Sequence, residues 1–138
     1  EVLIQLDRQD EALPLINKIR QRAANSLENL KTADGSYILN YKCELYKPGV
    51  NCTWTKEFAW KAMEWENRLE LACEGRRFFD LQRWGTLEKT MNAYFAVERN
   101  RFDWMNIARF TAGRDEFFPI SQAQMKWAKG NYTQNPGY

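Results

Sequence analysis

Residues 66–85 read ENRLELACEGRRFFDLQRWG, and their spacing commits this part of the chain to helices. Glu66, Glu70 and Glu74 fall at i, i+4 and i+8, along one edge of a helix. Like charges at that spacing destabilise a helix by about 0.2–0.5 kcal/mol per pair, and carboxylates near a helix C-terminus also face the negative end of its dipole. The arrangement calls for cationic partners, and Arg76, Arg77 and Arg83 follow just past Gly75. A short helix folded back at that glycine would bring guanidinium forks to the acids, with Asp80 joining the same ion-pair network. Phe78, Phe79, Leu81 and Trp84 would seal the junction from water. A carboxylate pair for glycoside hydrolysis is the competing reading. The nearby arginines would depress the pKa that such a proton donor needs raised. No catalytic residue is assigned.

Upstream of this block, Thr55 can cap a helix over 56–74 whose apolar stripe is Phe58, Ala62, Trp65, Leu69 and Ala72. Glu57 with Lys61 and Glu64 with Arg68 make favourable i,i+4 pairs on its wet face. Further back, residues 1–7 read as the tail of a helix, broken by DRQD. Asp10 then caps a second helix with its stripe at Ala12, Ile16, Ile19, Ala23, Leu27 and Leu30 and with Pro14 near its first turn. Residues 1–31 are thus a helical hairpin. Because EVLIQLDRQ reads as the middle of an amphipathic helix, the sequence also predicts that the protein extends upstream of Glu1.

Residues 32–54 lose the helical period and form a loop excursion with room for one short hairpin. Its turn dipeptides are Asp34-Gly35 and Pro48-Gly49, and it carries Tyr37, Tyr41, Tyr46 and Trp54. Cys43 and Cys52 bracket a loop of about ten residues, where a disulfide would contribute roughly 2–3 kcal/mol. The alternative is three free thiols, with Cys73 buried in a helix. Downstream, the pattern predicts a short helix over 77–84 and a long one over 86–112, completing a helical region 55–112. An extended tail, 113–138, contains Pro119 and a short helix from Ser121. The fold class is all-α.

Six Trp, six Tyr and eight Phe in 138 residues supply both core mass and flat platforms, and composition does not separate those uses. Twenty basic and eighteen acidic residues are mixed along the chain with no basic stripe, which argues against a nucleic-acid partner. Histidine is absent, which removes histidine-based triads and the commonest transition-metal ligand. No metal site and no cofactor are assigned. No run of apolar residues is long enough to span a bilayer as a helix.

Four blocks in order, INKIRQRA (16–23), ENRLELACEGRRFFDLQRWG (66–85), EFFPISQAQM (116–125) and QNPGY (134–138), resemble the C-terminal part of SusD-like (SusD/RagB) proteins. Two positions depart from the family pattern: Asn67 stands where Glu is usual, and the PIP-type turn reads Pro119-Ile120-Ser121. The resemblance implies a SusD-like fold containing a tetratricopeptide-type helix pair. It also implies a lipid-anchored protein at the outer surface of an outer membrane. There it would bind polysaccharide or oligosaccharide and deliver it, without catalysis, to a SusC-like TonB-dependent transporter. The alternative is a helical-repeat scaffold that binds protein partners. The resemblance carries no glycan-contacting residue over by motif. The candidates within this chain are Tyr37, Tyr41, Tyr46 and Trp54, with ordinary loop packing as the competing reading. A second aromatic run, Tyr94 to Trp104, reads as core.

Overall fold

A one-turn helix, α1 (Val2–Gln5), and a long one, α2 (Gln9–Asn25), open the chain, with the backbone reversing at Asp7 in the left-handed region (φ 59°). The structure, a computed structural model, describes residues 1–37 and 42–138. They fall into two compact units, Glu1–Glu74 and Gly75–Tyr138. The described residues contain six α-helices and two 3-10 segments, with isolated β-bridges and no sheet, so the chain is all-α as its periodicity predicts.

In the first unit, α2 begins two residues earlier than expected, with Arg8 at the N-cap and no side-chain cap. Asp10 and Glu11 lie in the first turn, where the helix dipole favours acids. Pro14 sits two residues deeper than the sequence suggests, and it removes the hydrogen bond that the Asp10 carbonyl would otherwise receive. A 3-10 segment, Ser26–Leu30, extends the helix. Helix α3 (Lys56–Glu70) is capped by Thr55, whose hydroxyl accepts from the Phe58 amide at 3.2 Å.

Packing of α3 on α2 differs from the expected stripe. The buried face is Ala59, Ala62, Met63 and Glu66, while Trp65 and Leu69 are 47% and 65% exposed. Two alanines let the helix backbones approach closely, and an arginine on α2 draws Glu66 inward, so the helix turns by about one residue relative to its most apolar arc. The helix also stops at Glu70 rather than 74. Leu71 closes the last turn by donating to the Asn67 carbonyl at 3.1 Å, and Cys73 and Gly75 both take positive φ (66° and 73°). Cys73 is therefore an exposed thiol in a turn, not a buried one in a helix.

Among the described residues the excursion between these helices has no neighbouring strand, and its backbone groups find other partners. The side-chain amide of Asn17 on α2 donates to the Tyr46 carbonyl at 2.9 Å and accepts from the Tyr46 amide at 2.8 Å. Asn51 does the same within the loop, donating to the Leu45 carbonyl and accepting from the Lys47 amide. The anticipated hairpin reduces, among the described residues, to single bridges: Lys31 with Tyr37, and Pro48 with Cys52.

The second unit contains α4 (Arg77–Arg83), α5 (Leu87–Glu98), a 3-10 turn (Asp103–Ile107) and α6 (Gln122–Trp127). Leu81, Leu87 and Phe110 form its core, with Phe78, Trp84, Met91 and Phe95 packed around them. The long helix expected over 86–112 is broken after Glu98, and Phe102 is extended (φ −134°, ψ 109°). The Asn100 side-chain amide turns back to the Ala96 carbonyl at 3.5 Å. The guanidinium of Arg99 also holds the loop by donating to the Ala108 carbonyl at 2.8 Å. Asn92 repeats the amide clamp on Phe110, donating and accepting at 2.9 Å. Gln134 repeats it on Ile120 at 2.8 Å in both directions. Asn135 then donates to the Phe118 carbonyl and the Tyr138 hydroxyl to the Phe117 carbonyl. The terminal QNPGY is thus tied to the FFPI segment.

Candidate functional site

Arg20 organises the polar interior of the first unit. It sits on α2 one turn past Ile16, on the edge of the buried stripe, so its stem packs while its head reaches the excursion. Its Nε donates to the Glu44 carbonyl and its Nη1 to Glu66 Oε1, each at 2.6 Å. The guanidinium lies 4.3 Å from the centroid of the Tyr46 ring. Desolvation is the largest single influence and works against the Arg20 charge, but the Glu66 hydrogen bond together with the charge interactions of Tyr46, Glu66 and Cys43 outweighs it and holds the pKa above its ordinary value. One turn past Glu66 on α3, Glu70 accepts a hydrogen bond from Arg22. A groove of about 550 Å³ runs beside this second pair, lined by Lys18, Ile19, Gln21, Arg22, Asn25 and Glu70.

The partners of Glu66 and Glu70 therefore come from upstream, in the 16–23 block, where the sequence reading looked downstream to Arg76, Arg77 and Arg83. Spacing within one helix could not supply this, because Arg20 and Glu66 lie 46 residues apart. The available signal was the two arginines beside an apolar stripe in INKIRQRA. Glu74 is exposed in the turn after α3, and Arg76 stands at the N-cap of α4. In the second unit Asp80 is buried and accepts from Arg83 Nη2 at 3.0 Å. The guanidinium groups of Arg83 and Arg77 lie 5.5 and 5.6 Å from the Trp84 ring centroid.

The four aromatic candidates of the excursion are in different situations. Tyr46 and Trp54 are half-buried and pack with Phe58 in a ring trio, with centroids 5.5–5.8 Å apart. Burial pushes the Tyr46 phenol up, and the Trp54 indole donates to the Gln9 carbonyl at 3.0 Å. Tyr37 is exposed, with the Lys31 ammonium 5.1 Å from its ring centroid and its hydroxyl donating to Glu28 at 3.1 Å. Tyr41 lies outside the described residues. Cys43 and Cys52 are free, half-buried thiols with no bridge between them, and the Cys43 thiol is turned toward the Arg20 carbonyl at 3.5 Å.

The run read as core, Tyr94 to Trp104, is largely exposed instead: Tyr94 and Val97 lie on the open face of α5, and Phe102 and Trp104 lie past its end at Glu98, while Phe95 packs against the core. Chemically, Glu66, Glu70 and Asp80 are engaged as acceptors for arginines, and the site has the character of a brace. Among the described residues no group of three or more acidic or thiol side chains could hold a metal ion, and no helix is long and apolar enough to cross a membrane. In comparison with known proteins, the family model described as the SusD family matches residues 1–138, the whole chain. No curated protein matches it.

Proposed function

The chain belongs to the SusD family, and on that footing we propose that it captures glycans or related nutrients without transforming them and hands them to a SusC-like TonB-dependent transporter. The family match over residues 1–138 carries this reading. It is supported by the state of the acids that hydrolysis would use: Glu66 and Glu70 are held by Arg20 and Arg22 rather than poised as a proton donor and nucleophile. The place of work is the outer surface of the outer membrane, through a lipid anchor.

Affinity electrophoresis of the intact protein against amylopectin, xylan, galactomannan and dextran tests the binding half, and co-purification from membranes tests the transporter half. Retardation by at least one polysaccharide and recovery of a β-barrel partner are expected. Recovery of soluble protein partners with no polysaccharide retention would favour the helical-repeat scaffold instead. Turnover of a retained glycan that disappears in Glu70→Gln would establish an enzyme and overturn the reading.

A further inference from the structure

Between Glu11 and Glu28 the chain carries Lys18, Arg20 and Arg22 and no acid. All three cations lie on α2. Among the described residues, α3 sends two acids against them, Glu66 to Arg20 and Glu70 to Arg22, and Lys18 is left without an ion pair. Cations four apart on a helix repel, as Lys18 and Arg22 do. Lys18 also lies short of the last turn, where the helix dipole would favour a cation. Nothing in α2 itself offsets its charge.

Lys18 lines the groove of about 550 Å³ beside α2, a volume within the roughly 300–1,000 Å³ of small-molecule sites. Its walls are rich in donors. Arg22 commits Nη2 to Glu70 and keeps the other N–H groups of its fork, on a side chain that is 69% exposed. Gln21 Nε2 donates to Asn25 Oδ1 at 2.8 Å, which fixes both amides and leaves the Asn25 N–H groups and Gln21 Oε1 open. Ile19 adds an apolar wall. Lys18 and Arg22 against Glu70 leave the groove with an excess of positive charge.

We infer that this groove binds the carboxylate-bearing sugars of an acidic glycan. The inference rests on the glycan-binding reading above and narrows it to uronic-acid polymers. A uronate ring is rich in acceptors: a carboxylate for Lys18 and the open edge of Arg22, hydroxyls for the Gln21–Asn25 amides, and a C–H face for Ile19. A neutral glycan gains nothing from the excess charge, and a small inorganic anion gains nothing from the amides and Ile19. The ordering cost is low, because the amide pair and the Arg22–Glu70 pair are formed before the ligand arrives.

The test is calorimetric titration of the intact protein with tetragalacturonate and tetramannuronate, their methyl esters, and tetraglutamate. At least one oligouronate should bind, more weakly as salt is added. Its ester, which keeps the rings and loses the charge, should bind about tenfold more weakly. Lys18→Met keeps the stem, and affinity should fall roughly tenfold, the scale of one solvent-open charge-assisted hydrogen bond. Asn25→Asp keeps the acceptor for Gln21 and cancels the excess charge, so it should cost a similar factor, whereas Lys18→Arg should hold most of the affinity. Circular dichroism checks the fold of each variant. Parent affinity in both Lys18→Met and Asn25→Asp, or equal affinity for acid and ester, would overturn the groove. Tetraglutamate bound as tightly as the oligouronate would make it a peptide site and overturn it as well. Retardation by a neutral polysaccharide with no oligouronate binding would overturn the groove and leave glycan binding standing. A parent that binds neither kind would overturn both.

Discussion

Arg20 joins three segments with one side chain: the excursion through the Glu44 carbonyl, α3 through Glu66, and the Tyr46 ring by stacking. A planar, forked cation can do all three at once, and lysine cannot. Arg20→Lys should therefore destabilise the protein by roughly 2–4 kcal/mol, because Glu66 is buried and left with a poorer partner. Denaturant titration monitored by circular dichroism measures it. Asp34 offers a second check at this scale. Hydrogen bonds from Thr32 and Ser36 lower its carboxyl pKa from 3.8 to about 2. A depressed folded pKa means that the turn's contribution is present above the unfolded value and is lost as pH falls from about 3.8 through about 2. An NMR titration of Asp34 should show its midpoint near 2, and Thr32→Ala should move it upward.

At the scale of elements, amide side chains take over the work that a sheet would do. Asn17, Asn92 and Gln134 each pair with both backbone groups of one distant residue, Tyr46, Phe110 and Ile120. Asn92→Ala leaves a half-buried amide and carbonyl at Phe110 without these bonds, so a loss of about 2 kcal/mol is expected, with faster hydrogen exchange at the Phe110 amide. Gly137→Ala should destabilise the tail for two reasons. Gly137 has φ 82°, and an added Cβ would lie 2.8 Å from the Arg114 Cγ. A drop of about 1 kcal/mol, read as a lower melting temperature, is expected. Helix existence was legible from apolar spacing and from Thr55, but helix faces and ends were not. The α3 stripe drawn through Trp65 and Leu69 follows apolarity, whereas the observed face follows how closely Ala59 and Ala62 let α2 approach. Likewise the apolar side Leu87, Met91, Tyr94 and Phe95 announces a helix here, yet Tyr94 is exposed, and the end at Glu98 leads into a turn held by the Arg99–Ala108 hydrogen bond, which spacing does not encode.

For the whole molecule, the ordered blocks were the strongest signal, and the family match over residues 1–138 agrees with them. The brace was legible as a need, since stacked glutamates on one helix edge require cations, but its donors were not, because Arg20 and Arg22 lie far away in sequence. The exposed rings of Phe102 and Trp104 were hidden for the same reason as the α5 break. If Arg20 and Glu66 hold the fold while recognition lies elsewhere, stability and affinity must separate under mutation. The direct measurement is a paired thermal melt and calorimetric titration of the parent and Glu66→Gln, using whichever polysaccharide the parent retains. The melting temperature of Glu66→Gln should fall while the affinity of the folded protein stays at the parent value. Affinity lost at an unchanged melting temperature would contradict it.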